Sequence, residues 1–431
     1  MQRSSAVLAI RRSWWDVDFR PRVPRSQPLI FAALMLALRV GGQSRVCAQS
    51  ACDPTGPRLF QVEDLDGAQA LRAAVSCADF GTVEATWSGV ITLDEPISIE
   101  AGTFLNITGE DELAEVRGGY QTRMFEVSKT GGLSLSELKL SGGRAEEGGA
   151  IHSSTAYVTL ESCMFEGNVA DNGNGGAVWA KGGTLTIVGG HFANNNATGK
   201  GGAVHVEDEL LVVEDGTRFY NNSAESMGGA FHGGTGSNIT IHGCSFENNF
   251  TPESGGGIAT SSARLTLSAL RTDNLAGENG AKVAGWDGDV IANGTTMQGN
   301  RAGKEGGCIY AGIGSEIDVH DGNFTDNRAT ENGGFLYAAK TAAVTIWGGN
   351  VSNNVAERRA GAIYCSGPSS GSGVAKVTIE GGTFSGNEAL EHGGAIVAWG
   401  IATVVTITGG DFVDNIARCE QIRVFSSNVR Q

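Results

Sequence analysis

Gly148-Gly149-Ala150-Ile151 is followed by Phe165 and Asn168, and the phrase returns as Gly175-Gly176-Ala177-Val178 with Phe192 and Asn195. It returns again at Gly201-Gly202-Ala203-Val204 with Phe219 and Asn222, and at Gly228-Gly229-Ala230-Phe231 with Phe246 and Asn249. The four asparagines are spaced 27 residues apart. Self-similarity at a fixed period of this size denotes a solenoid, whose units bury their apolar faces only by stacking.

The apolar residue after each such phrase falls at Ile151, Val178, Val204, Phe231, Ile258, Val283, Ile309, Leu336, Ile363 and Ile396. The steps run from 25 to 27 residues, except for a last step of 33 that contains the turn-rich run from Ser366 to Gly373. Each unit carries a second apolar pair at alternate positions, such as Val158/Leu160, Leu185/Ile187 and Ile317/Val319. Alternation with period two marks a half-buried strand, and no 3.6-residue stripe competes with it. The Phe of Phe-x-x-Asn opens a third short strand. Three strands per unit, separated by Gly and Asn turns, predict an all-β fold: a right-handed parallel β-helix of about ten such coils, stacked ~4.8 Å apart. The asparagines Asn168, Asn195, Asn222, Asn249, Asn300, Asn327, Asn354, Asn387 and Asn415 are expected to form an inward ladder, each amide bonding its counterparts in adjacent coils from a turn with left-handed backbone.

Outside the repeat, Leu65 to Val75 reads as a short amphipathic helix that covers the exposed strand edges of the first coil. Apolar runs at 89–93, 96–99 and 104–108 read as two or three early coils without the glycine signature. The expected organisation is a targeting segment at 1–48, a linker and cap at 49–79, early coils at 80–147, the repeats proper at 148–418 and a tail at 419–431. Leu29 to Leu38 is an apolar run after an Arg-rich start, of signal-peptide length, with Val46-Cys47-Ala48 as a cleavage box. That pattern predicts secretion, with the mature protein extracellular or associated with the cell surface or outer membrane. No other stretch approaches a transmembrane span.

The chain has 65 glycines and a net charge of −16, and its first 50 residues carry eight Arg and two Asp, or +6, leaving −22 for the remainder. So acidic a body argues against nucleic acid and anionic membranes as partners. Cys163 and Cys244 share a register but lie three coils apart, and Cys308 and Cys365 two, beyond the ~7 Å that a disulfide allows. Cys52 and Cys77 beside the cap are the remaining pair expected to bond in an oxidising compartment. Asn-x-Ser/Thr acceptors occur at Asn106, Asn196, Asn221, Asn238, Asn249, Asn293, Asn323 and Asn350 and predict a glycoprotein, with Asn249, a ladder residue, a poor acceptor.

Two surface features are candidates for function. One residue beyond each inward apolar position the side chain points outward, and that column reads His152, Trp179, His205, His232, Ala259, Ala284, Tyr310, Tyr337, Tyr364 and Val397. Flat rings at coil spacing can stack on sugar rings or dock a partner; they can also stack on one another as cross-strand pairs. The second strand's outward column is largely threonine and breaks where Asp289 aligns with Glu316, with Asp318 two residues along the same face and Asp287 and His320 nearby. Carboxylates so placed repel unless a cation intervenes, and an oxygen-rich cluster suits Ca²⁺. Arg264, one coil earlier, is the alternative partner of Asp289. This coil is also the least regular: it lacks the phenylalanine and inserts Trp286. No metal-binding His spacing, Gly-x-Ser-x-Gly or phosphate-loop pattern occurs.

The paired motifs Gly-Gly-Ala-(Ile/Leu/Val) and Phe-x-x-Asn, from about 148 to 415, resemble the passenger repeats of the chlamydial polymorphic outer membrane proteins. That resemblance implies a β-helical, surface-displayed adhesin exported as an autotransporter, although no strand-rich barrel follows the repeats here. The wider pectin-lyase-like group shares the fold, but its polygalacturonase signatures Asn-Thr-Asp, Asp-Asp, Gly-His-Gly and Arg-Ile-Lys do not occur. The expected function is therefore non-enzymatic binding of glycans or cell-surface proteins through His152, Trp179, His205, His232, Tyr310, Tyr337 and Tyr364. The alternative is a polysaccharide (uronate) lyase or epimerase using Asp289, Glu316 and Asp318, with Ca²⁺ at the same carboxylates.

Overall fold

The computed structural model describes residues 59–77, 81–100, 102–112, 114–368, 373–418 and 429–430. They form a right-handed parallel β-helix with three faces. One face is a 15-stranded sheet, from Leu59–Val62 to Val429–Arg430, and a second is a 12-stranded sheet, from Ile97–Ile99 to Ile396–Trp399. The third comprises a 17-stranded and a 5-stranded sheet.

The register follows the repeat. Ile151 pairs with Val178, Val178 with Val204, Val204 with Phe231, and so on through Ile363 with Ile396, so the 33-residue step leaves the alignment intact. The inward columns, with Val158, Leu185, Leu211 and their equivalents, make one continuous core along the rod. On the third face Phe165, Phe192, Phe219 and Phe246 stack with centroids 4.6, 5.0 and 4.5 Å apart.

The paired glycines have two separate causes. The first of each pair adopts positive φ, as at Gly175 (67°) and Gly201 (67°), a conformation nearly free of cost only without a Cβ. The second has no room for one: a Cβ at Gly176 would lie 2.1 Å from the carbonyl oxygen of Gly202 in the next coil. Together they let the chain turn tightly into the 12-stranded sheet.

The asparagine ladder forms as expected, with one addition and one correction. Asn168 Nδ2 donates to Asn195 Oδ1 at 3.0 Å, and the same oxygen accepts the Asn168 backbone N–H. Nδ2 also donates to a carbonyl of the preceding coil, as Asn195 does to Phe165 and Asn222 to Phe192. The addition is Asn274, which bonds Asn249 on one side and Asn300 on the other and closes the gap between them. Its steps of 25 and 26 residues match those of the apolar column there, but a register shift leaves it two residues after Thr272, the partner of Phe246, and not three, so the Phe-x-x-Asn spacing hid it. The correction concerns backbone. Positive φ belongs to the residue before the ladder position, at Asn194, Asn221, Asn248 and Asn353, and not to the ladder asparagines themselves. The left-handed residue makes the turn, and the buried amide then satisfies the backbone groups that the turn leaves unpaired.

Helix α1 (Leu65–Cys77) caps the first coil and extends two residues beyond the expected Val75. Asp64 Oδ1 accepts from Gly67 N at 2.8 Å as its N-cap. Ala68, Leu71 and Val75, spaced to share one face, are buried. Cys163, Cys244, Cys308 and Cys365 are buried free thiols. Cys52 and the targeting segment lie outside the described residues. Asn249 is fully buried, whereas the other seven glycosylation acceptors are exposed or half-exposed. Among the described residues no helix is long and apolar enough to cross a membrane.

Candidate functional site

The outer flank of the 12-stranded sheet gathers the ring column in the expected register: His152 beside Trp179, Trp179 beside His205, His205 beside His232, and Tyr310, Tyr337 and Tyr364 in succession. The side chains do point away from the main core. They do not, however, offer free faces. His152 stacks on Trp179 at 4.4 Å, His205 on His232 at 5.0 Å, and Tyr337 between Tyr310 and Tyr364 at 5.4 Å each. Trp179, His205, His232, Tyr337 and Tyr364 are buried, and only His152 and Tyr310 keep partial exposure. Of the two readings of the column, stacking of the rings on one another is the one the structure shows.

The cover comes from the turn before each glycine pair. Its side chains stand across the rings: Glu147 lies 4.0 Å from His152, Glu305 beside Tyr337, and Arg359 beside Tyr364. Tyr337, Ala339, Ala360 and Tyr364 thus form a second small core, flanked by Tyr310 and Val397. Burial pushes the Tyr310 hydroxyl up to about 12 and, with help from Arg123, the His152 imidazole down to about 4.

Two residues further along the same strands a polar column adjoins the rings: Lys181, Glu207, Ser261 and Trp286. The alternation that defines the ring column places this second outward column two residues along each strand. Here the structure links five side chains. Lys181 Nζ donates to Glu207 Oε2 at 2.8 Å, and Glu207 Oε1 lies 3.4 Å from His205 Nε2. His205 Nδ1 faces His232 Nδ1 at 3.1 Å, and His232 Nε2 faces Ser261 Oγ at 3.2 Å. Both histidines are 1% exposed, and burial lowers the pKa of each, that of His232 furthest. The His205 ring and the Lys181 ammonium hold the Glu207 carboxyl at about 2. The strip therefore holds a carboxylate and two neutral imidazoles at neutral pH.

The acidic group sits on the 15-stranded sheet. Asp289 pairs in register with Glu316, and Asp318 follows two residues on. Arg264 approaches Asp289 at 3.9 Å, and His320 stacks on Trp347 at 5.9 Å instead of joining the carboxylates. Among the described residues no set of three or more His, Cys, Asp or Glu side chains is placed to hold a metal ion. Sharing a face is thus not convergence: strand side chains stand roughly parallel. Near the N-terminal end of the same sheet Phe104 and Tyr157 stack at 6.5 Å across Gly132, 41% and 52% exposed. A Cβ at Gly132 would lie 2.1 Å from the Phe104 ring, so the glycine makes the space in which that ring lies.

The profile of the Chlamydia polymorphic membrane protein repeat matches residues 243–261. No curated protein matches the sequence. Among solved structures, one described as a PL6 alginate lyase complex with trisaccharide superposes with a TM-score of 0.48 at 12% identity, covering 83% of this chain and 87% of that one. Residues 243–261 are thus similar to the Chlamydia polymorphic membrane protein repeat, and they lie in a parallel β-helix that continues on both sides of them.

Proposed function

We propose that the protein is a secreted or surface-exposed β-helix that binds glycans or partner proteins in the manner of an adhesin. The repeat at 243–261 and the signal-like start of the chain support the location. The observation that carries the binding role is the exposed Phe104–Tyr157 pair: two large rings lie on the solvent face of a regular sheet, where apolar surface of this kind marks recognition. His152 and Tyr310, the column rings that keep partial exposure, extend the proposal to the neighbouring sheet. Replacing Phe104 and Tyr157 together by serine is expected to weaken binding about tenfold or more in glycan-array and cell-binding assays. His152→Ser with Tyr310→Ser should have the smaller effect. Unchanged binding after the first pair of replacements removes the platform from consideration.

The second reading, a uronate lyase or epimerase, is supported by the alignment of Asp289, Glu316 and Asp318 on one face. It predicts turnover of a uronate polymer that disappears in Asp318→Asn. An assay on alginate and pectate with and without Ca²⁺ checks this, and silence on both leaves the adhesin reading alone.

A further inference from the structure

The linkage from Lys181 to Ser261 has a direction. Glu207 is ionised and can only accept, so the proton on its His205 partner must sit on Nε2. A neutral imidazole carries one N–H, which leaves His205 Nδ1 bare. The 3.1 Å contact then requires His232 Nδ1 to be the donor, and His232 Nε2 is left with a lone pair aimed at Ser261 Oγ, 3.2 Å away. Burial keeps both rings neutral, and Lys181 holds Glu207 from the other side. Gly234 helps to place the carboxylate: a Cβ there would lie 2.7 Å from Glu207 Cγ. Lys200 is the further cation that acts on both histidines. Ser261 is half-buried, with half-buried Trp286 at the next register position.

We propose that Ser261 is a nucleophile activated by His232, with His205 and Glu207 as positioning residues, and that the chain cleaves small aryl esters through an acyl-serine. Ser261 Oγ attacks the acyl carbon while its proton passes to His232 Nε2. The aryloxide leaves with that proton as a phenol, its ring lying against Trp286. Water then adds to the acyl-serine, with His232 again taking the proton, and releases the carboxylic acid and free Ser261. The charge that builds on His232 is shared through Nδ1–H with His205 and through it with Glu207, the arrangement by which a carboxylate supports a histidine base. This activity is independent of the adhesin reading.

The test uses the full chain with an organophosphorus fluoride and with p-nitrophenyl acetate. The expected result is one adduct per chain, mapped by mass spectrometry to Ser261, and ester cleavage above the buffer rate. Ser261→Ala, a small change at a half-buried site, should remove both. His232→Gln should slow labelling by about 100-fold or more. Glu207→Gln tests positioning: nitrogen NMR should show His232 as the Nδ1–H tautomer in the unaltered protein and lose that preference in the variant. Failure of the unaltered chain to label at Ser261, or undiminished cleavage by Ser261→Ala, overturns the proposal.

Discussion

Replacing Lys282 by methionine is expected to stabilise the protein, although it removes a charged residue type from an acidic chain. Lys282 stands one residue before Val283, where other coils place Ala150, Ala177, Ala203 and Ala230. Its side chain is fully buried, its Nζ has no hydrogen-bond partner, and that atom lies 3.7 Å from the centroid of the Phe246 ring. The reason is local. The phenylalanine stack ends at Phe246, whose register partner in the next coil is Thr272, and the long aliphatic stem of Lys282 reaches into the core there. Burial drives its amine well below the usual lysine range, opposed only by the nearby Cys308 and Cys244 thiols. Methionine keeps the length and flexibility and drops the unsatisfied polar group, a gain of about 1–3 kcal/mol. The pH dependence gives a second signature. Because the folded-state pKa is depressed, the unfolded chain binds a proton that the folded chain refuses over the window between the two values. Stability is therefore greatest above the ordinary lysine pKa and falls as pH is lowered through that window. Urea denaturation from about pH 9 to about pH 6 should show this slope in the unaltered protein and a flatter one in Lys282→Met. A less stable variant with the same slope would show that the amine has a partner in solution.

Asn222→Ala is expected to be strongly destabilising. Asn222 Oδ1 accepts both the backbone N–H and the Nδ2 of Asn195, and its own Nδ2 donates to the carbonyl of Phe192 and to Asn249 Oδ1. Alanine leaves three buried groups without partners: the Asn195 backbone N–H, one Asn195 amide hydrogen and the Phe192 carbonyl. At about 1–3 kcal/mol for each unsatisfied group, the loss is on the order of 3–5 kcal/mol after partial relaxation. In a solenoid each coil is held by its neighbours, so the damage should spread outward from the coil that carries Asn222. Hydrogen exchange should show lost protection around Asn195 and Asn249 before the cap near α1 is affected. Uniform exchange along the rod, or a loss below about 1 kcal/mol, would mean that water replaces the amide.

Much of this architecture was legible in the chain. A strict period forces equivalent residues into vertical register, because a one-residue slip would turn every inward side chain outward. Hence Ile151 to Ile396, the phenylalanine stack and nearly the whole ladder could be placed from spacing alone. Asn274 escaped because its coil is one residue short between the strand position paired with Phe246 and the ladder: Thr272 precedes it by two residues where Phe246 precedes Asn249 by three. The site was less legible. Periodicity says which way a side chain leaves the strand but not what covers it, and the turns carrying Glu147, Glu305 and Arg359 close over the rings through side-chain reach that no spacing reports. For the same reason alignment of Asp289, Glu316 and Asp318 did not amount to convergence.

The sequence alone determined the β-helix, its register and its inward columns, because these follow from a repeat that every coil must satisfy in the same way. Only the tertiary structure decided that the outward rings are spent on one another, that Lys282 ends in the core, and that Ser261 meets His232. Those outcomes depend on departures from the repeat, and the consequence of a departure is set by the side chains of the coils above and below it.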